Sequence, residues 1–250
     1  GGRRAGAMRW LLWLLPLLLL WPGLAQAQSV AIDLGAGGTG ATGKLMQLTA
    51  LITVISLAPS LLVMVTAFTR IIIVLSLLRG ALGTQGTPPN MVLIGLALFL
   101  TLFVMQPVLE QAWTQGVQPM NQGSIDSFEG VRRAAEPFRH FMAANARPDD
   151  IRLFLDLGHL PTPATADATP WRALIPGFIV GELRRGFEMG FLLYLPFLVD
   201  ALVVARVILR LGLMMLPPNV VSLPFKLIFF VMVDGWRLVA GSLVQSFLGG

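Results

Sequence analysis

The chain has 250 residues, of which 55% are apolar and 12% are charged, against about 25% charged residues in an average soluble domain. Together with several long uncharged apolar runs, this composition excludes an ordinary soluble protein and indicates a membrane protein. The net charge of +5 is spread along the chain without a basic patch that would favour nucleic acid. The absence of cysteine excludes disulfides and thiolate chemistry.

The N-terminal segment has the layout of a secretory signal peptide. Three arginines within the first nine residues precede an apolar run at residues 10–21, and Ala25-Gln26-Ala27 follows it. This order predicts cleavage before Gln28, with the new N-terminus on the periplasmic side of a bacterial inner membrane. A signal anchor is the alternative, although residues 10–21 fall short of the roughly 20 residues that a span needs.

The glycine-rich segment 28–44 contains two patterns that resemble nucleotide-binding motifs. Gly35–Gly40 matches G-x-G-x-x-G, and Gly38–Lys44 approaches a P-loop, but Leu45 stands where magnesium binding needs a hydroxyl. Both motifs require a helix packed on a parallel sheet, whereas a long apolar run follows here. The segment is therefore interpreted as a flexible linker.

Residues 45–109 predict a first apolar helical hairpin. The stretches 45–69 and 91–109 are each long enough to span a membrane, and Pro88-Pro89 mark the turn region between them. Pro59 predicts a kink in the first stretch. Arg70 is costly in lipid, so we expect it to face a partner, a water-filled cavity or the headgroup boundary.

Residues 110–172 are rich in charge and predict a small soluble helical insertion. One amphipathic helix covers residues 127–144, with apolar positions from Val131 to Met142 spaced for one face. A second covers residues 149–158 with Ile151, Phe154 and Leu155 inside, and a loop follows at 161–170.

The insertion offers no predicted catalytic or metal chemistry. His140 and His159 have no carboxylate or histidine at ligand spacing. The chain also lacks a nucleophile–base signature. We therefore expect a protein that is not an enzyme and that needs neither a cofactor nor a metal.

Residues 173–250 predict a second apolar hairpin whose first arm carries embedded charges. Glu182 and Arg185 are three residues apart and Arg184 and Glu188 four apart, so each pair can neutralise itself on one helix. A self-neutralised helix is one interpretation, and a polar face that contacts other subunits is the other. We favour subunit contacts, because a central charge costs about 2.5–3.5 kcal/mol in lipid.

The loop of this hairpin is apolar, which is unusual for a solvent-facing loop. Leu213-Met214-Met215-Leu216 lies between Gly212 and Pro217-Pro218, which stop regular structure. Methionine is flexible and polarizable, so several copies of the loop could form a deformable seal around an unfolded chain. The alternative is a loop that packs in the protein core or against lipid.

Several motifs give the chain a specific family resemblance over nearly its whole mature length. Leu78–Thr84, Pro88-Pro89-Asn90 and Gly95–Thr101 are similar to the first hairpin of the FliP family of flagellar export proteins. The segments Leu223–Lys226 and Val233–Trp236, with Gly241–Phe247 after them, resemble its C-terminal part.

The resemblance implies an all-α protein of membrane-associated hairpins with a helical periplasmic insertion, in the flagellar basal body. Copies would assemble into a ring-like, helical type III export gate through which unfolded axial proteins pass. The implied partners are further copies of the chain, as a pentamer with FliQ and FliR, and the export proteins FlhA and FlhB. The resemblance also implies that neighbouring subunits, rather than lipid, cover the hairpins.

The family's functional positions carry over residue by residue. Its methionine gasket falls on Leu213, Met214 and Met215, with leucine in place of the usual first methionine. Its important charged positions fall on Glu182 and Lys226. Aromatic positions implicated in subunit contacts fall on Phe141 and Phe154 in the insertion.

One acidic residue departs from the family pattern. Asp200 stands one residue before the family's acid, and Ala201 occupies that position. We therefore assign no role to Asp200 from the resemblance.

The alternatives to a flagellar export gate are an injectisome gate homologue, a small-solute or ion channel subunit, and a structural scaffold. The failed P-loop disfavours nucleotide-driven transport. The expected organisation has five parts: a signal peptide at 1–27, a glycine-rich segment at 28–44, a first hairpin at 45–109, a periplasmic insertion at 110–172 and a second hairpin at 173–250.

Overall fold

In this computed structural model, the described residues are 49, 52–53, 56, 60, 63–84, 86–210 and 218–248. The helices below all lie within residues 56–250. Every regular element in the described ranges is helical, which confirms the all-α prediction. The signal peptide 1–27 and the glycine-rich segment 28–44 lie outside these ranges.

The first two helices form an antiparallel pair around a tight turn. Helix α1 covers Phe68–Leu82 and helix α2 covers Asn90–Ala112. Helix α1 ends at Gly83, whose left-handed φ of 70° lets its N–H reach the Gly80 carbonyl at 3.1 Å. Arg79 closes the turn by donating to the Asn90 side chain and to the Pro88 carbonyl.

The insertion begins where α2 continues through a π-helical turn at Trp113–Val117 into α3, Gln118–Asn121. Helix α4 covers Ser127–Asn145 and starts at Asp126, whose carboxylate accepts the Glu129 N–H at 2.8 Å. Helix α5 covers Pro148–Leu157, and a short 3-10 turn occupies Ala166–Ala168 within the predicted loop.

The buried residues of α5 are those that the sequence predicts. The buried residues of α4 differ from the prediction at one position. Ile151 and Leu155 are buried and Phe154 is half-buried. Val131, which we expected on the buried face of α4, is 65% exposed. Its neighbour Gly130 instead packs against the preceding segment, and a side chain there would meet Met120 at 2.8 Å.

Helix α6 is a single helix of 40 residues, Trp171–Arg210. At 1.5 Å per residue it is about 60 Å long. Pro176 and Pro196 lie inside it without ending it, as is tolerated where neighbouring groups satisfy the freed carbonyls.

The last two helices form one sharply bent arm. Helix α7 covers Pro218–Met232 and helix α8 covers Gly235–Leu248, and the pair is bent by 63°. The bend lies at Asp234, which has a φ of 51°.

Two helical segments in the described ranges are long and apolar enough to cross a membrane, Asn90–Asn121 and Trp171–Arg210; the bent pair α7–α8 makes a third if it counts as one span. Helix α1 packs mainly against α6 and also against α2. Large apolar side chains remain exposed on the helices, among them Met91, Phe99, Phe103, Leu192, Val231 and Met232. The single chain thus leaves apolar surface for lipid or neighbouring subunits.

Candidate functional site

A buried ion pair joins the first hairpin to the long helix. Arg70 of α1 and Glu182 of α6 are 112 residues apart in sequence, and their side chains are 1% and 0% exposed. Arg70 donates from Nε to Glu182 Oε2 at 2.8 Å and from Nη2 to Oε1. This two-pronged geometry matches the planar guanidinium to the planar carboxylate.

The remaining guanidinium nitrogen binds the end of the C-terminal helix. Arg70 Nη1 donates to the Ser246 carbonyl at 3.0 Å and to the Ser246 hydroxyl at 2.9 Å. The guanidinium carbon lies 3.7 Å from the ring centroid of Phe247, a cation–π contact. One side chain therefore holds α1, α6 and α8 together.

Aromatic rings extend this centre into the insertion. Phe141 of α4 stacks on Phe247 with ring centroids 5.9 Å apart, and it meets the buried Phe178 of α6 edge-on, also at 5.9 Å. Both geometries are favourable for aromatic pairs. Phe141 is thus bound to the charged centre within its own chain.

The contacts of Arg70 and Glu182 are those of a structural ion pair that joins helices. Every nitrogen of the Arg70 guanidinium donates to an acceptor, and both Glu182 oxygens accept from it. A buried ion pair is tolerable only with such complete hydrogen bonding, because each desolvated charge otherwise costs several kcal/mol.

The charges on α6 pair differently from the local prediction. Arg184 and Glu188 form the expected contact at 2.9 Å on the exposed face. Glu182 faces the other way and pairs with Arg70, not with Arg185. Arg70 does face a charged partner, one of the three environments expected for it.

Phe154, the second aromatic position, lies on α5 away from the charged centre. It is half-buried against the apolar core of the insertion, in which Met142, Ile151, Leu174 and Phe178 are buried. Phe141 packs against the same core from α4, and in addition it stacks on Phe247 of α8.

Lys226, the second predicted charged residue, does not contact Glu182 in the structure. Its Nζ donates to the Ala81 carbonyl near the end of α1 at 3.2 Å. It also lines a cavity of about 450 Å³ with Asp200. Asp200 Oδ2 is buried there and has no hydrogen-bond partner.

Leu213, Met214 and Met215, the predicted gate residues, lie outside the described ranges. Helix α6 ends before this segment, at Arg210, and α7 begins after it, at Pro218.

The sequence did not identify a polar cluster that ties α4 to the loop before α6. His140 Nδ1 lies 2.9 Å from Asp167 Oδ1. Arg139 donates to the carbonyls of Asp167 and Thr169, and its guanidinium carbon lies 4.4 Å from the Trp171 ring centroid. These partners are too far apart in sequence for a helical spacing rule to find them.

For the Arg70 site, the sequence signal was the presence of charged residues in apolar stretches. An arginine in one such stretch and a glutamate in another suggest an ion pair. The sequence does not say which acidic residue the arginine binds.

Comparison with known proteins identifies the family. The profile of the FliP family matches residues 51–243. The flagellar biosynthetic protein FliP of Caulobacter vibrioides is 52% identical over 232 residues, covering 92% of this chain and 87% of that protein. The protein of the same name from Agrobacterium fabrum is 47% identical over 92% of this chain and 96% of its own length, and that from Bacillus subtilis is 44% identical over 81% and 91%. The chain therefore belongs to the FliP family.

Proposed function

We propose that this chain is a core subunit of the flagellar type III protein export gate, and that it forms the pore through which unfolded axial proteins cross the inner membrane. Similarity to proteins named flagellar biosynthetic protein FliP over most of the chain carries the proposal. The exposed apolar helices support it, because such a surface is stable only against lipid or neighbouring subunits.

Complementation tests the export role directly. The chain, expressed in a strain of a closely related bacterium that lacks its own FliP, should restore motility and the secretion of axial proteins. Secretion that stays absent although the chain is present in the membrane would contradict the proposal.

The proposed location is the inner membrane at the basal body, as a multi-pass protein with the insertion in the periplasm. N-terminal sequencing should begin at Gln28. Because the chain has no cysteine, Phe128→Cys would give a single thiol at a side chain that is 79% exposed in the insertion. A membrane-impermeant maleimide should label it in intact spheroplasts, and labelling only after lysis would contradict the location.

The proposed partners are further copies of the chain, FliQ, FliR, FlhA and FlhB, with a pentamer of the chain at the centre. The exposed apolar residues on α2, α6 and α7 are the surface that such partners would cover. Native mass spectrometry of the complex, purified through a tag on FliR, would give the copy number. Recovery of the chain as a monomer would contradict a pentamer.

The proposed seal of the pore is the segment Leu213-Met214-Met215. Several copies meeting on one axis would make a dry constriction, because these side chains offer no hydrogen bonds to replace the hydration of ions. Methionine side chains would rearrange around an unfolded substrate at small cost.

The seal predicts that Met214→Ala with Met215→Ala raises ion leakage when the complex is overproduced, while assembly is retained. The control replaces two methionines outside the loop, Met91 and Met232, which are 79% and 80% exposed on helices that partners would cover; it reports any leakage that comes from a weakened subunit contact alone. Equal leakage from both double variants at matched complex levels would mean that the loop packs in the protein or against lipid.

A further inference from the structure

The last turn of α8 has an unusual binding partner for a helix end. The final carbonyls of any helix lack an intrahelical donor and carry partial negative charge. The Ser246 carbonyl lies in that turn and receives Arg70 Nη1 at 3.0 Å. Ser246 adds its hydroxyl, which accepts from the same nitrogen and donates to the Leu243 carbonyl at 2.7 Å.

Phe247 adds an aromatic contact to the hydrogen bonds at this helix end. Its ring meets the Arg70 guanidinium and also stacks on Phe141 of the insertion. Arg70, Ser246 and Phe247, which we call the C-terminal clasp, therefore bind α8 to α1 and to α4 at one place. Ser246 and Phe247 lie beyond residue 243, where the match to the family profile ends.

We propose that the C-terminal clasp positions helix α8 across the junction of the first hairpin and the insertion, and that assembly of the export complex requires this position. Arg70 is the positioning residue, because it binds both Glu182 on α6 and Ser246 on α8. The assembly part of the inference rests on the proposed function, whereas the clasp is a property of the single chain.

Lysine cannot replace arginine in this geometry. The guanidinium directs two nitrogens at Glu182 and the third at Ser246, and its flat face lies over Phe247. An ammonium group keeps the positive charge but has neither the planar fork nor the flat face. Arg70→Lys therefore keeps a charge opposite Glu182 and weakens the attachment of the last turn of α8, while Val239 and Leu243 stay in the apolar core.

Hydrogen exchange in the detergent-purified full chain, measured before any complex is assembled, tests the clasp with a local readout. In Arg70→Lys and in Ser246→Ala, the amides of residues 240–248 should exchange about tenfold faster than in the wild type, since a hydrogen bond to a charged group is lost. Exchange in α5, which contributes no residue to the clasp, should stay unchanged. Ser242→Ala is the matched control, because the Ser242 hydroxyl donates only within its own helix, to the Val239 carbonyl at 3.0 Å.

The outcomes separate the clasp from the wider proposal. Exchange at 240–248 that matches the wild type in both variants overturns the clasp. Exchange that rises equally in α5 also overturns it, since the variants then loosen the whole chain. Faster local exchange with an undiminished yield of the complex on a native gel overturns the role in assembly. A chain that fails to support export even as the wild type would contradict the proposed function and leave the exchange result standing.

Discussion

Removal of the Glu182 carboxylate should destabilise the protein strongly, because it leaves a buried charge behind. Glu182→Ala deprives Arg70, which is 1% exposed, of both carboxylate oxygens. Breaking one side of a buried pair costs about 3–5 kcal/mol. At about 1.4 kcal/mol per factor of ten, this lowers the ratio of folded to unfolded chain by roughly two to three and a half orders of magnitude.

The control lies six positions further along the same helix. Glu188 pairs with Arg184 at 2.9 Å, but both side chains are more than half exposed. Solvent and salt screen such a pair, so Glu188→Ala should behave like the wild type.

Thermal unfolding in detergent, followed by intrinsic fluorescence, measures the difference, and a native gel reports the yield of assembled complex. Glu182→Ala should unfold at a clearly lower temperature and give less complex than Glu188→Ala. The double variant Arg70→Met with Glu182→Leu should recover part of the loss, because no charge then stays buried. If Glu182→Ala unfolds at the temperature of the wild type, the pair does not hold these helices together.

Three further outcomes are expected. Lys226→Ala removes one hydrogen bond from a charged donor, to the Ala81 carbonyl, and should lower the free energy of unfolding by about 1.5–3 kcal/mol, which the same thermal assay would detect; a loss larger than that of Glu182→Ala would contradict this. Gly116→Ala should disrupt the insertion, because the new methyl group would lie 2.5 Å from backbone atoms of α4. In the control Gly95→Ala the methyl group would enter open space, so that variant should be neutral or slightly stabilising. The yield of complex on a native gel compares the two variants. Two arginine side chains donate to the Glu129 carboxylate and lower its pKa from 4.5 to about 2. The stability that this carboxylate contributes is therefore full above pH 4.5 and is lost as the pH falls toward 2. Glu129→Gln should show a weaker pH dependence of unfolding between these two pH values.

The helices themselves could be predicted because their signals are local. Apolar runs, the Pro88-Pro89 pair and the charge-rich insertion place α2, α4 and α5 close to where the structure has them, whereas α1 covers Phe68–Leu82 and overlaps the predicted span 45–69 by only two residues. The sequence marked the first arm of the second hairpin, but it did not predict that embedded charges and two prolines leave one uninterrupted helix of 40 residues there. Tertiary contacts with α1 and α5 cover the first part of that helix, and sequence periodicity does not report them.

The candidate site could be predicted only in part, because its contacts are long-range. Glu182 was identified, but its partner was sought on the same helix at Arg185, whereas Arg70 lies 112 residues away. The role of Ser246 and Phe247 had no local signal, since serine and phenylalanine near a chain end are unremarkable. Val131 is exposed because the close approach of Gly130 to Met120 turns the helix by about one residue from the expected face.

The length of α6 has a mechanical consequence. At about 60 Å, the helix is roughly twice as long as the hydrocarbon layer of a membrane is thick. Its first half is fixed to the insertion and to α1, whereas large apolar side chains in its second half are exposed. From Glu182 to Arg210 about 42 Å of helix remain, so a tilt of about 5° at the buried ion pair would displace the far end by about 4 Å. The second half of α6 carries α7 with it, because Phe197 packs on Phe229 and Phe230.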